Sequence, residues 1–134
     1  MSVFEKLKGT AFEEQAKQSM QGELMGVKIY MAMEMLAREQ GLTDAAAVFH
    51  EIAVQEAEHA GFYAVAIGEQ KPDFWEMAKQ IQKLEEMADE KLGEFADRIR
   101  EAGITDVAEH VDFITKQENN HAIMLKELFE KHNV

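Results

Sequence analysis

None of the 134 residues is a cysteine. That excludes disulfides, zinc knuckles, thiolate nucleophiles and any cysteine-held iron centre. Proline occurs once, at Pro72, and the eight glycines are scattered, so little interrupts the chain. No run approaches the roughly 18 apolar residues of a membrane helix. The opening MSVFEKLKGT has no apolar core of the kind a secretion signal needs. Positive charge is also scarce: 14 Lys and Arg stand against 26 Asp and Glu, a formal net charge of −12. Duplex nucleic acid, which needs clustered Lys and Arg, is thereby excluded as a partner. The expectation is one acidic, cytoplasmic domain over 1–134, clear of membranes and long enough to bury a core.

What is abundant is helix former: Ala, Glu, Lys, Leu, Met and Gln dominate. Gly41 and Gly103 fall where long periodic segments stop, and each is followed by a helix-start signal, Leu42-Thr43-Asp44 and Ile104-Thr105-Asp106. The spacing predicts four helices, near 11–40, 44–67, 73–102 and 106–131, with Gly68-Glu69-Gln70-Lys71-Pro72 as the middle break. Segment 38–60 aligns without a gap on 100–122, with 11 identities in 23 positions. The chain therefore reads as a duplicated helical hairpin, 11–67 and 73–131, each half short of a packing partner.

On the first helix an apolar stripe runs through 12, 16, 19, 23, 26, 30, 33 and 37, and its copy through 74, 78, 81, 85, 88, 92, 95 and 99. Each carries one glutamate at mid-length, Glu23 and Glu85. The second and fourth helices show Phe49, Ile52, Glu56, His59, Tyr63, Ala66 and Val111, Ile114, Glu118, His121, Leu125, Leu128. Four carboxylates converging in a bundle interior cost several kcal/mol each unless paired or neutralised. No Lys or Arg lies near them on these stripes, whereas two divalent cations balance four carboxylates and leave both histidines neutral as ligands. Glu-x-x-His places its two ligands on one helix face. One Glu from each of two helices plus Glu-x-x-His from each of the others is the dimetal carboxylate pattern. Such mixed oxygen and imidazole ligands suit iron or manganese. His50, His110 and His132 fall off the stripes and read as surface residues, Trp75 and the methionines as packing. Tyr30 lies two turns past Glu23 on the same face, where its hydroxyl has the reach to support a ligand carboxylate.

With these residues in view, the chain resembles the ferritin-like domain of the rubrerythrin family. Leu7-Lys8-Gly9-Thr10, the Gly22-Glu23 pair, Glu56-Ala57-Glu58-His59-Ala60 and Glu118-Asn119-Asn120-His121-Ala122 carry the likeness. The resemblance implies an all-α, ferritin-like four-helix bundle with a non-haem di-iron site that reduces hydrogen peroxide to water. It makes Glu23, Glu56, His59, Glu85, Glu118 and His121 the metal ligands, with Glu56 and Glu118 as bridges, and two iron ions (or manganese, or a mixed pair) the cofactor.

Two departures from the family stand out. Members usually carry a cysteine-bound rubredoxin domain, absent from this sequence, so electrons are expected from an external rubredoxin-type donor. The family's additional glutamate, one turn after the third-helix ligand, is replaced by Ala88. The site is thus more symmetric, nearer to an oxidase or to a ferroxidase centre that oxidises Fe(II) with dioxygen. A non-catalytic acidic interaction module is the remaining alternative.

In the ferritin-like arrangement the second and third helices run parallel. Returning along the bundle then means covering about 31 Å, roughly 13 Å beyond His59 plus 18 Å before Glu85 at 1.5 Å per residue. Five or six extended residues supply roughly 17–20 Å. Either both helix ends unwind or the third and fourth helices pack against another chain's first hairpin, and the favoured expectation is the latter, a domain-swapped homodimer with two mixed sites.

Overall fold

The computed structural model describes residues 2–134 and contains four helices and, among those residues, no strand. They are α1 (Glu13–Glu39), α2 (Thr43–Ala66), α3 (Trp75–Glu101) and α4 (Thr105–His132), within one or two residues of the expected bounds. The fold class is all-α, as expected. No helix is long and apolar enough to cross a membrane.

The chain divides into two compact units, Met1–Pro72 and Asp73–Val134, each an antiparallel helical hairpin. The two hairpins turn by the same device. Gly41 and Gly103 adopt φ of +74° and +81°, a left-handed conformation that costs a glycine little and any other residue more. The next N–H then reaches back into the ending helix, Leu42 to Ala37 at 2.8 Å and Ile104 to Ile99 at 3.2 Å. This closure satisfies carbonyls that the helix end would otherwise leave bare. At the start of α1, the Gly9 N–H donates to Glu13 at 2.6 Å and the Phe12 N–H to the Thr10 hydroxyl at 3.2 Å. Residues 5–7 meanwhile cap the far end of α2, Glu5 N–H donating to Val65 and Leu7 N–H to Ala66.

Within each hairpin the buried seam is small. α2 buries Ala46, Ala53 and Ala60, and α4 buries Ala108, Thr115 and Ala122, both at intervals of seven. Ala16, Met20 and Ala37 of α1, and Gln82 and Ala96 of α3, are the buried residues on the other helices. This departs from the expected core stripes, which are only partly covered: Ile81 is 41% exposed and Phe95 52%. The reason is that each helix carries two apolar faces. The small-residue rows of α2 and α4 close the hairpins, and the stripes with the carboxylates, which share Ala16, Ala37, Ala66 and Val111 with the buried seam, are otherwise half-buried or exposed.

Cross-helix polar contacts join both hairpins near their turns. Glu34 on α1 accepts from Arg38 at 2.7 Å and pairs with His50 of α2 at 2.9 Å, so His50 is exposed, as expected, but not idle. In the second hairpin Arg100 reaches Asp112 of α4 at 2.6 Å. His110 and His132 are exposed, and His132 stacks near Trp75 with ring centroids 5.2 Å apart.

The alanine seam sets a test. Ala53 has no exposed surface, so Ala53→Leu is expected to destabilise the metal-free protein by about 1–3 kcal/mol through overpacking. The Thr115 hydroxyl donates to Val111 of its own helix at 2.9 Å, so Thr115→Ala is expected to stay within about 0.5 kcal/mol. Urea unfolding reads both; an Ala53→Leu variant as stable as its parent would contradict the seam.

Candidate metal centre

The six expected ligands fall into two triads, one on each hairpin, and the hairpin geometry gathers each triad by itself. Antiparallel pairing about the Gly41 turn brings Glu23 of α1 level with Glu56 and His59 of α2. His59 Nδ1 lies 3.3 Å from Glu23 Oε2, and Glu23 and Glu56 hydrogen-bond to one another. In the second hairpin His121 Nδ1 is 3.2 Å from Glu118 Oε2 and 3.7 Å from Glu85 Oε2. Ligand atoms of Glu85, Glu118 and His121 all lie within 4.8 Å of one another, the one such group of three among the described residues. Both imidazoles are about half exposed, at 56% and 51% of the side chain. An open apolar groove of about 400 Å³, lined by His121, Met124, Leu125 and Leu128, runs beside the second.

Electrostatics shows what each triad lacks. The four carboxylates pair with no Lys or Arg among the described residues; an imidazole is the only nitrogen side chain within ion-pair distance of them. Two carboxylates in contact cannot both ionise freely, so each pair divides its proton unequally. The hydrogen bond with Glu23 pushes the Glu56 carboxyl above the ordinary glutamate value, aided by burial and by the Glu23 charge. Glu23 is correspondingly held down by its hydrogen bond with Glu56 and by His59. In the second hairpin the roles reverse between the helices. Glu85 is raised by its hydrogen bond with Glu118, by burial and by charge, while Glu118 is lowered by Glu85 and His121. Repulsion without a basic counter-charge, with oxygen and imidazole donors in one place, fits a divalent cation of the iron or manganese type.

Around these ligands the supporting contacts are few. Asn119, next to Glu118, donates to Asp89 of α3 at 3.1 Å. Tyr30 is half-buried with its ring 6.3 Å from that of Phe49, and among the described residues its hydroxyl makes no hydrogen bond to a ligand carboxylate. Sequence reasoning did not single out Gly26, yet its backbone lies against Glu56: a Cβ added there would meet Glu56 Oε2 at 2.5 Å. The signal was present, a glycine inside a helix one turn after a ligand.

Comparison with known proteins identifies the family. The sequence model of the family described as Rubrerythrin matches residues 14–128, a span that includes all six ligand candidates. An uncharacterized protein of Methanocaldococcus jannaschii is 31% identical over 125 residues, 93% of this chain and 89% of that protein. No solved structure matches significantly.

The proton division makes a pH test. Glu56 and Glu85 are raised above 4.5, so what they add to the metal-free fold is present in acid and fades as pH rises through their raised values. Glu23 and Glu118 are lowered; their contribution is present above the ordinary glutamate value and is lost as pH falls below it. Raising the pH from about 5 to about 8 should therefore lower the melting temperature of the metal-free protein. Replacing Glu56 and Glu85 together (Glu56→Gln, Glu85→Gln) keeps a hydrogen-bond donor in each pair without titration. The double variant should lose most of that slope, and an unchanged slope would contradict the carboxylate-pair account.

Proposed function

Because the chain belongs to the rubrerythrin family, we propose that it is a non-haem di-iron oxidoreductase that reduces hydrogen peroxide, or dioxygen, to water in defence against oxidative stress. The observation that carries this reading is the pair of Glu, Glu, His triads with no Lys or Arg to balance them. Glu23, Glu56 and His59 would hold one metal ion and Glu85, Glu118 and His121 the other, with Glu56 and Glu118 as the bridging carboxylates. Two iron ions, or manganese, or one of each, suit this donor set. When bound, the metal pair supplies two electrons for cleavage of the O–O bond.

The chain's own groups do the rest. The carboxylates fix the separation of the ions and carry the balancing charge. The imidazoles, neutral as ligands, leave that balance untouched. The reaction, peroxide plus two electrons plus two protons giving two waters, needs an electron source. None of the 134 residues is a cysteine, and the electron source in this proposal is an external donor such as a rubredoxin-type protein.

Ala88 favours a second reading. With no carboxylate at position 88, the two triads have the same composition, as an Fe(II)-oxidising centre would. Stopped-flow mixing separates the two. Reduced, iron-loaded protein given an electron donor should consume peroxide over many turnovers and leave excess Fe(II) largely unoxidised. Rapid turnover of excess Fe(II) with no donor-driven peroxide loss would overturn the peroxidase reading in favour of iron handling. Inertness to both would leave the acidic interaction module.

For the six ligands to form one centre, the two triads must meet, and we infer that they do so between two copies of the chain. The turn after α2 is tied down: the N–H groups of Glu69 and Gln70 both donate to Ala64. Measured from Ala64 to His59 and from Trp75 to Glu85, the parallel return requires roughly 22 Å along the helices. From Gln70 to Trp75 an extended chain supplies at most roughly 17 Å. Exchange of hairpins in a homodimer removes that demand and covers the half-exposed apolar stripe of each hairpin with the matching stripe of the other copy's complementary hairpin.

Complementation tests the exchange. A Glu23→Ala, His59→Ala chain is co-refolded with a Glu118→Ala, His121→Ala chain. Exchange regenerates about a quarter of the intact centres by random pairing. Tight metal content no higher than that of either variant alone would contradict it.

A further inference from the structure

Glycine inside a helix gives up backbone entropy and packing for no local gain. The 27-residue α1 nevertheless holds two, Gly22 and Gly26, one turn apart. Their surroundings differ. A Cβ at Gly22 would meet nothing within 4 Å, whereas one at Gly26 would lie 2.5 Å from Oε2 of Glu56 and 3.1 Å from its Cδ. The Glu56 carboxylate thus sits in the volume that any side chain at position 26 would claim.

At the matching place in the second hairpin stands Ala88, which brings the methyl group that Gly26 lacks. The two carboxylates opposite these positions point differently. Glu118 turns along its own helix to His121, at 3.2 Å, and the three ligands of that hairpin gather within 4.8 Å. Glu56 and Glu118 both lie against the glutamate of the facing helix, Glu23 and Glu85, but in the first hairpin His59 pairs with Glu23, at 3.3 Å, and not with Glu56.

We propose that Gly26 is a positioning residue of the metal centre: the room it leaves on α1 draws Glu56 away from His59 and makes the first triad an open ligand set, whereas Ala88 keeps the second triad closed. This rests on the dimetal reading above and deepens it. The closed triad needs less rearrangement to accept a cation, so it fills first. The two bound ions are then inequivalent despite identical ligand types.

Titration of the metal-free full chain with Co(II), followed by visible absorption, tests this without any turnover. The parent should fill in two steps whose dissociation constants differ by at least about tenfold. Gly26→Ala should bring the steps to within about threefold of each other at unchanged total uptake. Gly22→Ala gives the same rise in helix propensity without the contact, and should titrate as the parent does. Ala88→Gly should weaken the tighter step. Circular dichroism melting of each variant establishes that it is folded. Superimposed curves for parent and Gly26→Ala, or an equal shift in Gly22→Ala, would overturn the role of Gly26 while leaving metal binding intact. Absence of any cobalt uptake by the parent would instead overturn the dimetal reading, and this inference with it.

Discussion

Two carboxylates held in contact on each hairpin, with a histidine beside them and no basic residue to balance them, are the constraint to which the remaining features respond. Like charges this close either share protons or take a cation. The metal-free hairpin uses the first solution, with one glutamate of each pair raised and the other lowered. That solution is tolerable because the side chains are half exposed, where water screens much of the repulsion. Covering the same face with a second apolar surface removes the water and makes cations the cheaper answer.

The packing explains why this face is available. The hairpins close through small residues at seven-residue intervals, Ala46, Ala53 and Ala60 in one and Ala108, Thr115 and Ala122 in the other. Small side chains let two helices approach without consuming the broader apolar stripe next to them. The stripe, with its ligands at mid-length, is left for a larger partner surface. The chain therefore spends its smallest residues on the hairpin and keeps its largest, such as Phe95, Ile81 and Leu128, for what the hairpin meets next.

The helices and both turns were legible in the sequence, because Gly41 and Gly103 end long periodic runs and only a glycine takes that left-handed φ cheaply. The ligand candidates were legible for a different reason: an ionisable residue on an apolar stripe is a contradiction that asks for a partner. What the sequence concealed was which of two apolar faces closes the hairpin, since periodicity reports that a face is apolar and not what covers it. It also concealed the direction of each carboxylate. Glu56 and Glu118 occupy matching positions with matching histidines, yet they point differently, and the nearby difference is one methyl group between Gly26 and Ala88. The Glu34 and His50 pair was hidden likewise, because its partners lie off the stripes and meet only across the hairpin.

The central claim is that these acidic triads exist to hold metal. Elemental analysis of the protein purified without oxygen and without chelator tests it most directly. The account predicts about two iron or manganese ions per chain, one for each triad. A folded protein that emerges with none, and takes up none when offered an excess of Fe(II), would contradict it.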